Sequence, residues 1–178
     1  MAIIALWGYA RSGKDTVAKM IQDKQPEKNW QIKKFSGKLK EMASALTDYS
    51  VEHFENQDFK EKGIISIDRK QFTVREFLQF LGTECVRDIL GEDVWGNALF
   101  KDYDDSQNWI ITDCRFPNEA DRVDSKNGYI IEVDRGIEPV NAHSSETAMK
   151  HYNFDYTILN WGDLKNLDYT VDLLLEKL

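Results

Sequence analysis

The residues from Gly8 to Lys14 have the types and spacing of a phosphate-binding P-loop, G-x-x-x-x-G-K. In such a loop the backbone N–H groups surround phosphate oxygens, and the lysine ammonium reaches the terminal phosphates. Asp15 stands where the motif usually carries Ser or Thr, whose hydroxyl contacts Mg²⁺. The pattern predicts a phosphate site with an altered metal contact. The alternative is a plain strand-to-helix turn whose glycines only permit tight geometry.

Two more groups that could take part in chemistry follow an apolar run at residues 109–112. Asp113 comes directly after the run and could hold Mg²⁺, although an aspartate that caps or forms an ion pair at a strand end is the alternative. Arg115 could bind a phosphate through two parallel N–H donors. It could equally form a surface ion pair with Glu119 or Asp121, so both interpretations stay open.

A stripe of polar side chains recurs every fourth residue and consists of Arg75, Gln79, Thr83 and Arg87. Residues at this spacing lie along one side of an α-helix. Two guanidiniums, an amide and a hydroxyl suit a phosphate and a base edge, whereas Lys and Glu are typical of a solvated face. Gly82 lies beside the stripe and would let a flat ligand approach closely. The stripe predicts a ligand-binding face, with a solvated face as the alternative.

The elements that must position these groups alternate between strands and helices. Apolar runs predict strands at residues 3–7, 31–35, 109–112, 129–133 and 156–159. Helical spacing predicts a helix after the P-loop and further helices over residues 38–46, 74–89, 94–103 and 164–178. The apolar side of the 74–89 helix is predicted to comprise Val74, Phe77, Leu78, Leu81, Cys85 and Ile89, and the charged residues 48–70 predict a loop-rich insert. The alternation favours an α/β fold, a parallel sheet with helices on both faces, in which ligands bind at the carboxyl ends of the strands.

Composition limits the classes of protein to which the chain can belong. Its 178 residues carry a formal charge of −8, and 42% of them are hydrophobic, as expected for one domain over residues 1–178. The acidic balance argues against non-specific binding to nucleic acid, but a small phosphorylated ligand needs only a local cluster of cations. No apolar run approaches the roughly 20 residues of a membrane span, and no secretory signal is evident, so we expect a cytoplasmic protein. Cys85 and Cys114 lack metal-ligand neighbours and predict buried, reduced thiols.

Several sequence blocks, taken together, point to a known family. They are Ser12 to Thr16, Phe35 to Lys40, Gln79 to Glu84 with Arg87, Asp93 to Trp95, Thr112 to Ala120, His143 to Glu146 and Tyr156 to Asn160. In type and order these blocks resemble the bacteriophage deoxynucleoside monophosphate kinases and their relatives among the P-loop kinases. The resemblance implies a five-stranded parallel sheet with the P-loop at 8–15. It also implies a helical region that binds the acceptor monophosphate at about 36–105 and a lid at about 135–150.

The resemblance also implies transfer of the γ-phosphoryl group of ATP, with Mg²⁺, onto a nucleoside monophosphate. The catalytic residues would be Lys14, Asp113, Arg115 and Arg135. The donor-binding residues would be Gly8, Arg11, Ser12, Gly13, Lys14, Asp15 and Thr16. The acceptor-binding residues would be Ser36, Lys40, Gln79, Thr83, Arg87 and Trp95. We hypothesise that Thr16 binds a donor phosphate and that Asp15 and Asp113 hold the water shell of the metal.

Some features leave more than one interpretation. Arg135 is the evident lid arginine, and Arg11, Arg115 or Arg122 could supply further charge there. His143, with Ser145 and Glu146, could mark the lid or cap a helix. A kinase for another small acceptor, such as phosphomevalonate or a sugar acid, and a non-catalytic nucleotide-binding protein are the alternative functions. A GTP switch is disfavoured because the Asn-Lys-x-Asp motif is absent. The expected partners are small nucleotides, without nucleic acid or membrane, bound by a monomer or a homodimer.

Overall fold

The structure is a computed structural model that describes residues 2–137 and 143–178. The chain forms two compact units, which are described separately below. Unit 1 consists of the residues up to Lys34 and from Asp102 onward, and unit 2 consists of Phe35–Lys101. Residues 138–142 of the predicted lid lie outside the described residues. In the described part of the chain, no helix has the length and apolar character needed to cross a membrane.

The described residues form seven strands: β1 Ile3–Trp7, β2 Gln31–Lys33, β3 Ile64–Ile67, β4 Lys70–Thr73, β5 Trp109–Ile111, β6 Tyr129–Asp134 and β7 Tyr156–Leu159. The helices are α1 Lys14–Lys24, α2 Gly37–Ala45, α3 Val51–Glu55, α4 Gln57–Lys62, α5 Val74–Phe80, α6 Asp88–Leu90, α7 Val94–Phe100, α8 Pro117–Asp124, α9 Ser144–Thr147 and α10 Leu164–Leu175. A 3₁₀ turn covers Pro26–Lys28, and a π-helical segment, Leu81–Arg87, joins α5 to α6.

The five strands of unit 1 form one parallel sheet in the order β2-β5-β1-β6-β7. Every residue of β1 is buried, because β1 lies at the centre of the sheet and both of its faces are covered. On one face Ile4, Leu6 and Ile110 pack against apolar side chains of α1 and α10. On the other face α8 packs against β1 and β6. This arrangement confirms the predicted five-stranded parallel sheet with helices on both faces.

The parallel strands place five chain segments at one edge of this sheet. The P-loop follows β1, Lys34 follows β2, Asp113 follows β5 closely, Arg135 follows β6 and Asn160 follows β7. Because all five strands point in the same direction, the residues at their carboxyl ends share that edge. The topology of unit 1 therefore collects most of the predicted donor-side residues.

Unit 2 has a core of its own, which includes Phe54, Ile65, Val74, Phe77 and Leu81. The expectation of a loop-rich insert at residues 48–70 is wrong, because this stretch holds α3, α4, β3 and the start of an antiparallel β3–β4 hairpin. These elements are only four to six residues long. A pattern this short does not complete two helical turns, so periodicity in the sequence does not reveal it.

The helix predicted at 74–89 is present, but its centre is the π-helical segment Leu81–Arg87, and it ends before Gly91, where φ is 116°. Val74, Phe77 and Leu81 are buried as predicted. Ile89, predicted on the same apolar side, is instead 73% exposed. A π-helical segment bonds i to i+5 and winds more slowly than an α-helix, so the residues after it are rotated away from the predicted side.

Candidate active site

The loop between β1 and α1 has the backbone geometry that a P-loop requires. Gly8 and Gly13 have φ values of 154° and 102°, which L-residues with a side chain adopt only with strain. The Ser12 N–H donates to the Tyr9 carbonyl at 3.1 Å, and the loop leads directly into α1. The N-cap residue of α1 is Gly13, which has no side chain to cap the helix, and a helix N-terminus of this kind favours a phosphate.

Lys14 lies folded back over this loop. Its Nζ donates to the carbonyls of Gly8 at 2.6 Å and Tyr9 at 2.9 Å. Burial, and after it the positive charge of Arg115, lower the pKa of Lys14 from 10.5 to about 8. The carboxylates of Glu146, Asp15 and Asp113 act in the opposite direction on this pKa. The charge of Lys14 therefore depends on one neighbouring cation and three neighbouring carboxylates.

Asn160, at the end of β7, is a site residue that sequence reasoning missed. Its Nδ2 donates to the Ser12 carbonyl at 2.8 Å, and the side chain is 4% exposed. A Cβ added to Gly13 would lie 2.6 Å from this nitrogen, so the glycine leaves room for the amide. Asn160 thereby ties the P-loop to the last strand of the sheet. In the sequence Asn160 follows an apolar run and ends the block Tyr156 to Asn160, but neither signal gave it a role.

The remaining predicted donor residues lie at the same edge of the sheet and are more exposed. Asp15 and Thr16 begin α1 with exposed side chains, and Asp15 Oδ1 lies 3.7 Å from Lys34 Nζ. Arg11 is exposed and has a φ of 65°. Arg135 is exposed after β6 and lines a small pocket together with P-loop residues, among them Gly8, Tyr9 and Ser12.

The turn after β5 is held by a buried carboxylate. Asp113 is 8% exposed, and Glu119 in α8 is 3% exposed. Glu119 Oε2 accepts the backbone N–H of Arg115 at 2.7 Å and that of Phe116 at 3.2 Å. An ion pair of the Arg115 side chain with Glu119, one of the alternatives left open by the sequence, is not the arrangement found, since Glu119 Oε2 accepts from the backbone of this turn. The Asp113–Arg115 turn is fixed from behind by α8.

The guanidinium of Arg115 pairs instead with a residue far along the chain. Its Nη1 lies 2.7 Å from Glu146 Oε1 and 3.4 Å from the Ser145 carbonyl, to which it donates. Burial disfavours the charge of Arg115, but the carboxylates of Glu146, Asp113 and Glu119 together outweigh this effect and raise the Arg115 pKa. His143 Nδ1 accepts the Ser145 N–H at 3.2 Å and so caps α9. The helix cap, one of the two interpretations of His143, is thus present in the structure.

The predicted acceptor residues lie in unit 2, and several are buried. Lys40 Nζ is 2.6 Å from Glu55 Oε1, with the lysine side chain 6% exposed. Ser36 is half-buried directly before α2. A buried lysine in an ion pair is a cation whose position is fixed by its partner.

The polar stripe of the 74–90 helix is not a solvated face over its second half. Thr83 and Arg87 are 9% and 7% exposed. The Arg87 guanidinium donates to the Glu92 carbonyl at 2.7 Å. Gln79 is half-buried, whereas Arg75 lies 4.0 Å from Glu61 across two partly exposed side chains.

Trp95 lies in α7 and is 7% exposed. Its indole N–H donates to the Gly82 carbonyl at 2.9 Å. Gly82 itself packs against Leu39, where an added Cβ would lie 2.7 Å from a leucine methyl carbon. The tight space beside Gly82 is thus filled by protein, and Trp95 supports the π-helical segment through a carbonyl of that segment.

The carboxylates near the P-loop suit a magnesium ion that binds together with a nucleotide. No group of three or more His, Cys, Asp or Glu side chains arranged to hold a metal occurs among the described residues. Mg²⁺ usually keeps several waters and binds through one or two carboxylates plus substrate phosphates. Asp15 and Asp113 could provide such carboxylates at the edge of the sheet that carries the P-loop.

The thiols of Cys85 and Cys114 are free. Cys114 is buried, as predicted for both cysteines, whereas Cys85 is only half-buried.

Comparison with known proteins identifies the family. The model of the deoxynucleotide monophosphate kinase family matches residues 32–171. A protein of Acanthamoeba polyphaga mimivirus, named provisionally as a deoxynucleotide monophosphate kinase, is 30% identical over 180 residues, or 90% of this chain and 89% of the viral protein. A solved structure of a mutant APS kinase, CysC, from Mycobacterium tuberculosis has a TM-score of 0.44 and 11% identity over 98% of this chain and 97% of that chain. This chain belongs to the deoxynucleotide monophosphate kinase family and is a phosphotransferase.

Proposed function

We propose that this protein transfers the γ-phosphoryl group of ATP onto the phosphate of a deoxynucleoside monophosphate and so forms the diphosphate. The observation that carries the proposal is the grouping of Lys14, after β1, with Asp113 and Arg115, after the neighbouring β5. One anionic and two cationic groups at the carboxyl edge of a parallel sheet suit a nucleotide triphosphate.

In unit 1 the P-loop amides and the start of α1 would bind the donor phosphates. Lys14 would exchange its bonds to the Gly8 and Tyr9 carbonyls for bonds to phosphate oxygens, since these bonds occupy the same ammonium hydrogens. Arg115 and Arg135 would stabilise the negative charge on the equatorial oxygens during transfer. Mg²⁺, held with its water shell by Asp15 and Asp113, would neutralise charge on the β- and γ-phosphates when it is bound.

In unit 2 the acceptor would be bound by the polar side of the helix at 74–90 and by the start of α2. Arg87 and Lys40 are cations buried within unit 2, so they can bind a phosphate with little competition from water. Thr83 and Gln79 offer a hydroxyl and an amide for the base or sugar. We assign Trp95 a supporting role, because its one polar hydrogen is committed to Gly82.

The reaction needs no general base in this proposal. The acceptor phosphate is already an anionic nucleophile, so the protein has only to orient the two nucleotides and stabilise the transferring group. The donor assignments to Gly8, Arg11, Ser12, Gly13 and Thr16, and the role of the lid at about 135–150, belong to the same proposal.

The test is phosphoryl transfer by the purified protein with ATP, Mg²⁺ and a panel of deoxy- and ribonucleoside monophosphates. We expect ADP and a nucleoside diphosphate with at least one deoxynucleotide, and none with phosphomevalonate or gluconate. Lys14→Met removes the ammonium over the P-loop, and a loss of roughly 100-fold or more in kcat is expected. Lys19→Met, at an exposed lysine paired with Asp23, is the matched control and keeps full activity. Turnover of none of the nucleotides would refute the proposal.

A further inference from the structure

The Arg115 guanidinium is held from one side only. Both of its side-chain hydrogen bonds use Nη1, to the Glu146 carboxylate at 2.7 Å and to the Ser145 carbonyl at 3.4 Å. The Nε and Nη2 hydrogens make no hydrogen bond to the described residues. Together these two groups form the edge with which an arginine binds a phosphate bidentately.

Glu146 is well placed to fix the orientation of that edge. Its side chain is 10% exposed, whereas the side chain of Arg115 is 38% exposed. α9 carries Glu146, and His143 caps the first turn of this helix. The pair with this buried carboxylate restricts the Arg115 side chain, which is long and would otherwise sample many rotamers.

The same pair influences Lys14. The charge of Arg115 disfavours protonation of Lys14, and the charge of Glu146 partly offsets that effect. Two cations directed at one phosphate repel each other, so a carboxylate on the far side of one of them lets both remain charged near the P-loop.

We propose that Glu146 is a positioning residue for phosphoryl transfer, which holds the Nη1 side of Arg115 so that Nε and Nη2 are directed at the phosphoryl group of the bound donor. This inference rests on the proposed function. In this proposal Glu146 contacts neither nucleotide, and its positioning effect passes through Arg115.

The experiment compares Glu146→Ala, Glu146→Gln and Arg115→Ala. We expect Glu146→Ala to lower kcat about 10- to 100-fold, because a misdirected group at the reacting centre costs up to about that factor, while the KM for the monophosphate changes less than threefold. Glu146→Gln keeps an oxygen that accepts from Nη1 and should restore most of kcat. Glu27→Gln, at an exposed glutamate, is the control for a lost surface charge.

The double variant shows whether Glu146 acts through Arg115. We expect Glu146→Ala to have no further effect on kcat once Arg115 is alanine, since residues that act as one unit are non-additive. The inference would be overturned if the reduction in kcat of the double variant were the product of the two single reductions. It would also be overturned if Glu146→Gln lowered kcat as much as Glu146→Ala.

A binding measurement separates this inference from the proposed function. Calorimetric titration with ATP and ADP gives the ratio of their affinities without any turnover. We expect Glu146→Ala and Arg115→Ala to reduce the preference for ATP to a similar extent, because both weaken the contact with the γ-phosphoryl group. An unchanged ratio in Glu146→Ala would refute the positioning role even if no monophosphate were phosphorylated. Circular dichroism and thermal unfolding verify that each variant is folded.

Discussion

At the scale of single residues, the chemistry of the candidate site depends on whether the Lys14 side chain is protonated. Its ammonium is partly desolvated and lies near a second cation, so its pKa is lowered to about 8 in the ligand-free protein. A phosphate bound to the same ammonium would favour the charged form and raise the pKa again. The bound state therefore carries more protons than the free state at pH values above about 8.

This linkage predicts that a non-hydrolysable ATP analogue takes up protons when it binds at pH 8.5 to 9. At pH values a unit or more below 8 the free lysine is already largely protonated, so the uptake vanishes. The affinity should fall as pH rises above about 8, by up to tenfold per pH unit. Calorimetry in buffers of different ionisation enthalpy measures the uptake.

Lys14→Met should bind the analogue without this uptake, and the surface variant Lys19→Met should retain it. An equal uptake by wild-type protein and Lys14→Met would assign the proton to another group. The phosphates do not interfere, because their last ionisation is complete well below pH 8.

At the scale of elements, the π-helical segment decides which residues of the 74–90 helix face inward. Up to Leu81 the α-helical period predicts the apolar positions correctly, since Val74, Phe77 and Leu81 are buried and Leu78 is half-buried. Arg87, the last residue of the segment, is buried, and Ile89, which follows it, is exposed, which inverts the expected order of a cation and an aliphatic residue. Trp95, through its bond to the Gly82 carbonyl, supports this unusual segment from α7.

Two isoleucines of unit 2 test this arrangement. Ile65 is 2% exposed and Ile89 is 73% exposed, although the sequence pattern places Ile89 in the core. Ile65→Ala should lower the free energy of unfolding by about 2–5 kcal/mol, because it leaves a cavity. Ile89→Ala should change it by less than about 0.5 kcal/mol. Urea denaturation followed by circular dichroism compares the two, and equal losses would contradict the inverted helix face.

At the scale of the whole molecule, the predicted donor and acceptor residues divide between the two units. The P-loop, Asp113, Arg115 and Arg135 belong to unit 1, and the polar helix and Lys40 belong to unit 2. Each unit has its own apolar core, so each can hold its ligand-binding residues in place. The two ligands should accordingly leave separate signatures on the chain.

Hydrogen exchange tests this division. A non-hydrolysable ATP analogue alone should slow amide exchange at residues 8–17, where the backbone N–H groups would surround phosphates. A deoxynucleoside monophosphate alone should slow exchange within residues 79–95. At a free ligand concentration of 100 times Kd, each ligand should stabilise the folded protein by about 2.7 kcal/mol. Protection of the P-loop by the monophosphate alone would contradict the assignment of the two ligands.

The sequence by itself determined the sheet, the P-loop and the order of the main elements. Strands buried on both faces, as in β1, need continuous apolar runs, and a tight loop before a helix needs glycines such as Gly8 and Gly13. These requirements are local, so the strand and the loop can be predicted from residues 3–14 alone. Family membership also followed from local blocks, in particular Asp113 to Glu119 and Gln79 to Glu84.

The tertiary structure alone decided the partners of those residues. Asn160 meets Ser12 across 148 positions of the chain, and Arg115 meets Glu146 across 31. No spacing rule predicts such pairs, because they depend on which strand ends and helices the fold brings together. The burial of Arg87 likewise depends on a π-helical segment, which hydrogen bonding and packing select rather than residue type. Functional groups that belong to a local motif could therefore be predicted from the sequence. The residues that position these groups could not.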